Sequence, residues 1–80
     1  MDMTSLDDIA FTIDRDGVGT LDRRVIDDVV ARAMASDASP VLAEIFADDR
    51  EPAPVRERAF GLLAVQITSG RRRFEFSLAA

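Results

Sequence analysis

Asp14, Asp16, Gly19 and Leu21 follow the order in which a calcium loop wraps a hard cation: alternating acids, a turn glycine, then an apolar residue. With Gly19 as the turn glycine, the fifth ligand position falls on Val18 and the twelfth on Val25. The bidentate carboxylate that closes such a cage is therefore missing, and an ordinary turn is expected. Gly17-Val18-Gly19 is also too short for a dinucleotide fingerprint, and Asp14 and Asp16 beside it would repel phosphate. Arg71-Arg72-Arg73 has the residue type that matches phosphate geometry, and a triplet could neutralise two or three phosphates. Asp7-Asp8, Asp27-Asp28 and Asp48-Asp49 could suggest carboxylate chemistry, but adjacent residues diverge on a helix or strand, so none makes a ready dyad.

The absent residue types exclude more. The chain has no His, Cys, Lys, Tyr, Trp or Asn, so arginine supplies every positive charge. No side-chain thiolate or amine nucleophile exists, and both the usual neutral-pH general base and the commonest metal ligand are missing. A non-enzymatic role without cofactor or metal is expected. Disulfides are impossible and zinc is disfavoured, which leaves self-association as the staple for a domain of 80 residues.

Net charge is −5, unevenly distributed. Residues 1–49 carry twelve acids against four arginines, whereas residues 50–80 carry six arginines against three acids. These halves can neutralise each other within one fold or between two copies. An acidic chain without a basic helical stripe points away from nucleic acid, although an Arg71–Arg73 nucleic-acid regulator is the alternative to weigh. A second alternative is an acidic binder of a basic protein, in the manner of an antitoxin or immunity protein. The acidic start is unlike a secretory signal, and no apolar run reaches membrane-spanning length, so a soluble cytoplasmic protein is expected.

The elements that must position these residues read as an α+β fold in one domain, with residues 1–7 flexible. Ile9, Phe11 and Ile13 alternate with smaller or polar residues and predict an N-terminal strand over 9–14. Leu21, Val25, Ile26, Val29, Val30, Ala33 and Met34 predict a helix over 21–35, capped by Thr20 or Asp22. Ser39 and Pro40 suit the N-cap and first turn of a short helix to Ala47, with Leu42, Ile45 and Phe46 inward. Residues 55–69 read as a third helix ended by Gly70, or else break near Gly61 and form a hairpin at 63–78; the helix is preferred.

Phe74, Phe76 and Leu78 alternate with charged or polar residues and predict a C-terminal strand over 72–78, antiparallel to the first. Phe11 would then face Phe76, with Asp14 opposite Arg73 and Asp16 opposite Arg71, so apolar and charge patterns select one register. The expected function is a small interaction or regulatory module acting as a homodimer or on another protein. Its expected interface is Phe60, Leu63, Ile67, Phe74 and Phe76, rimmed by Arg71, Arg72 and Arg73.

Overall fold

In a computed structural model, described for the backbone of residues 5–79 and the side chains of residues 5–69, every regular element is helical. The order is α1 (Leu6–Asp16), a 3-10 turn (Val18–Thr20), α2 (Arg23–Ala35), α3 (Pro40–Ala47) and α4 (Ala53–Ala79). The fold is all-α, and the α+β expectation is overturned. No helix among the described residues is long and apolar enough to cross a membrane.

The first strand is replaced by α1. Ser5 caps this helix, its Oγ accepting a hydrogen bond from the Asp8 amide at 3.1 Å, and Asp7 and Asp8 lie in the first turn, where the helix dipole favours acids. Leu6, Ile9 and Ile13 share a helical face as readily as Ile9, Phe11 and Ile13 share a strand face. The helix buries Ile9 and Ile13 and leaves Phe11 exposed. Gly17 ends α1 at φ 94°, a value that L side chains rarely adopt, and its N–H bonds the Ile13 carbonyl at 2.8 Å.

The C-terminal strand is likewise absent: α4 continues through Gly70 to Ala79, and residues 63–68 are helical, as preferred. Two helices cannot form the strand ladder that set Phe11 against Phe76 and Asp14 against Arg73. The side chains of Arg71, Arg73, Phe74 and Phe76 lie outside the described residues.

α2 and α3 form where expected, α3 with the bounds read from its cap: Ser39 Oγ accepts from the Leu42 amide at 3.3 Å and Pro40 opens the first turn. Between them, Ala38 N–H bonds the Ala33 carbonyl at 2.8 Å and Asp37 N–H bonds the Met34 carbonyl at 3.2 Å, a Schellman closure. Asp37 takes the left-handed position at φ 60°, usually glycine's. Asp37→Val is expected to lose about 1–2 kcal/mol through left-handed strain, whereas Asp37→Gly is neutral or stabilising. Urea denaturation of the two variants tests this order.

The core gathers Ile9 and Ile13 of α1, Val18 of the turn, Ile26, Val29 and Ala33 of α2, Ala43 and Phe46 of α3, and Ala59, Phe60 and Leu63 of α4. Phe46 and Phe60 meet at its centre, ring centroids 5.5 Å apart and planes tilted by 42°. Two polar side chains of α4 also fasten the bundle. Glu57 Oε2 accepts from the Val18 amide at 3.2 Å, and Gln66 Oε1 accepts from the Ser39 amide at 2.8 Å. α4 thus holds both the 3-10 turn and the start of α3.

Candidate functional site

The end of α3 is where the charged side chains converge. A helix leaves its last carbonyls without intrahelical partners and concentrates partial negative charge there. Arg56, from the first turns of α4, donates its Nε–H to the Phe46 carbonyl at 2.9 Å. Arg23, the first residue of α2, donates Nη1–H to the Ala47 carbonyl at 3.3 Å. Two helices therefore each lend a guanidinium to cap a third.

Arg56 is only 6% exposed, whereas Asp49, to which its Nη2 comes within 3.9 Å, has a side chain 78% exposed. The same Asp49 oxygen lies 3.6 Å from Arg23 Nη1, and Arg23 Nε is 3.5 Å from Asp27. These separations are longer than charge-assisted hydrogen bonds of about 2.7–2.9 Å. Arg23, Arg56 and Asp49 line an open cleft of about 340 Å³ together with Val18, Leu21 and Ile26. Asp48, at the cleft's edge in sequence, accepts the Arg50 amide N–H at 2.9 Å. That bond, reinforced by the Arg50 side chain and the charge of Arg56, holds its carboxyl below the usual range despite slight desolvation.

A second feature lies on the outer face of α4. Arg56, Ala59, Phe60 and Leu63 define the buried face, and Val55, Arg58, Gly61, Leu62 and Val65 lie on the opposite, exposed side. Leu62 is 49% exposed and Val65 is 60% exposed, one turn apart. Nothing lies within 4 Å of where a Cβ on Gly61 would stand. On α1, the exposed Phe11 ring is covered in part by the Arg15 guanidinium, 5.3 Å from its centroid.

Phe60 and Leu63, expected at an interface, are in the core, and Ile67 is half-buried against it. The side chains of Phe74, Phe76 and Arg71–Arg73 lie outside the described residues. Sequence reasoning did not single out Leu62 and Val65, on the exposed side of the same helix. It also missed Arg23 and Arg56, although a signal was present: arginine at the start of a helix opposes the helix dipole.

Among the described residues, no group of three Asp or Glu side chains is arranged to hold a metal ion. Asp14 and Asp16 lie within α1, so the two acids of the calcium-like order are helical rather than loop residues. The paired acids serve separate partners. Asp27 faces Arg23, Asp28 binds Arg32 at 2.7 Å, and Asp48 binds Arg50 while Asp49 faces the cleft. Comparison with protein-family models, curated proteins and solved structures found no match.

Proposed function

We propose that this chain is a non-enzymatic interaction module whose partner is a second copy of itself, bound through the outer face of α4. The observation that carries this reading is the pairing of exposed Leu62 and Val65 beside Gly61 on a helix whose other face is already buried. Exposed apolar side chains one turn apart form a seam, and a glycine beside them allows close helix approach.

The face fits itself in antiparallel orientation about a two-fold axis. When Leu62 meets Val65 of the second copy, Val65 meets Leu62 in return, as an isologous contact requires. Arg58, the charged residue on this face among the described side chains, then stands opposite Ser69. The two copies of Arg58 are about 16 Å apart along the helix, beyond the Debye length of about 8 Å, so they repel little.

Light scattering is expected to give twice the 8.8 kDa chain mass at micromolar concentration. Leu62→Glu places a charge on each side of the seam and is expected to return the mass to one chain. Helical circular dichroism should be unchanged, because Leu62 is outside the core. A chain that stays monomeric at hundreds of micromolar would defeat the proposal.

A further inference from the structure

The cleft at the end of α3 has chemistry that the α4 seam does not use. Arg23 and Arg56 both direct terminal nitrogens at one oxygen of Asp49, at 3.6 and 3.9 Å. A charge-assisted bond would be nearly 1 Å shorter. Arg56 is more than nine-tenths buried, and its Nε is committed to the Phe46 carbonyl. Arg23 is held by the Ala47 carbonyl, with Asp27 facing its Nε. The cations are thus fixed by carbonyls while their carboxylate partner is exposed and loosely paired. Asp49 stands in the position of a ligand carboxylate rather than that of a tight ion-pair partner.

The local sequence breaks a rule here. Arg23 opens α2, and Asp22 at the N-cap makes no side-chain capping bond, although acids and capped ends are favoured there. Such departures are expected where a site constrains the sequence. Besides these charged groups the lining is Gly19, half-buried Leu21, and Val18 and Ile26, which are almost wholly buried, so Leu21 supplies the apolar contact in a mostly polar cleft. Two guanidiniums beside the Leu21 side chain suit a small molecule with a carboxylate head and a short alkyl body. The cleft volume of about 340 Å³ is at the lower end of small-ligand sites, roughly 300–1,000 Å³.

We propose that this cleft binds a short aliphatic carboxylate. The ligand's carboxylate displaces Asp49 from Arg23 and Arg56, and its alkyl group lies against Leu21. Asp27 and Asp48 remain on Arg23 and Arg50, so their charge disfavours doubly charged anions.

The test titrates the full chain with butyrate, acetate and inorganic phosphate at constant ionic strength, following backbone amide signals of Gly19, Leu21 and Asp49 by NMR. Butyrate is expected to give saturable shifts at these residues, acetate weaker ones, and phosphate none beyond the salt control. Arg23→Gln, an exposed change, should weaken butyrate binding about tenfold, the effect of one charge-assisted contact. Asp49→Asn removes the internal competitor and should tighten binding, a sign that a purely structural Asp49 would not produce. Absence of saturable butyrate shifts, phosphate shifts equal to those of butyrate, or an Asp49→Asn chain that binds butyrate no better would each overturn the proposal. None of these readouts depends on whether the α4 seam forms a dimer.

Discussion

Phe46→Ala is expected to unfold much of the protein at 37 °C. Phe46 is fully buried and stacks obliquely on Phe60 at 5.5 Å. Truncating a buried phenylalanine to alanine costs about 3–5 kcal/mol, because transfer energy is lost and the surrounding helices cannot collapse fully into the cavity. Native stability is roughly 0.05–0.15 kcal/mol per residue, so a chain of 80 residues has about 4–12 kcal/mol in total. The mutation removes a large part of that. Phe46→Leu keeps more of the volume and should lose less, about 1–2 kcal/mol. The measurement is the urea midpoint by circular dichroism. A Phe46→Ala midpoint equal to the parent's would mean that this ring is not at the centre of the core.

The legible parts of the fold were those with an end signal and a period that agreed. In α3, Ser39, Pro40 and the spacing of Leu42, Ile45 and Phe46 specify one answer, and the observed bounds match. α1 was ambiguous because Ile9-Ala10-Phe11-Thr12-Ile13 satisfies both periods over five residues. β-branched side chains tipped the reading toward strand, yet propensity is a weak prior. Ser5 and Asp8 carried the missing information, since a capped first turn fixes the helical solution. At the other end, Gly70 resembles a stop signal, but a glycine costs a helix interior only about 1 kcal/mol relative to alanine. α4 is already anchored by Arg56, Ala59, Phe60 and Leu63, and its backbone runs on.

The α3 cap was invisible to periodicity for another reason. Its donors come from residues 24 and 10 positions away from their acceptors, so only the packing of α2 and α4 around α3 brings them together. The all-arginine positive charge is informative here, because a planar guanidinium can bond a carbonyl through one nitrogen and face a carboxylate through another.

That division of labour makes Arg56→Met the sharper test of the cap. Methionine retains most of the apolar stem, so lost packing contributes little, whereas the buried Phe46 carbonyl loses its guanidinium donor. A buried acceptor left without a partner costs about 1–3 kcal/mol, which sets the expected loss. Asp49→Asn should cost under about 0.5 kcal/mol, because its pairings with Arg23 and Arg56 are long and its side chain is exposed. If the carbonyl bond is what matters, combining Arg56→Met with Asp49→Asn adds almost nothing to Arg56→Met alone. If the ion pair mattered instead, Asp49→Asn alone would reproduce most of the loss. Thermal or urea unfolding of the two single variants and the double variant, read as a double-mutant cycle, decides between them. Arg56→Lys completes the set: its ammonium lacks the planar fork that lets Arg56 bond the Phe46 carbonyl while facing Asp49, so it should recover only part of the stability.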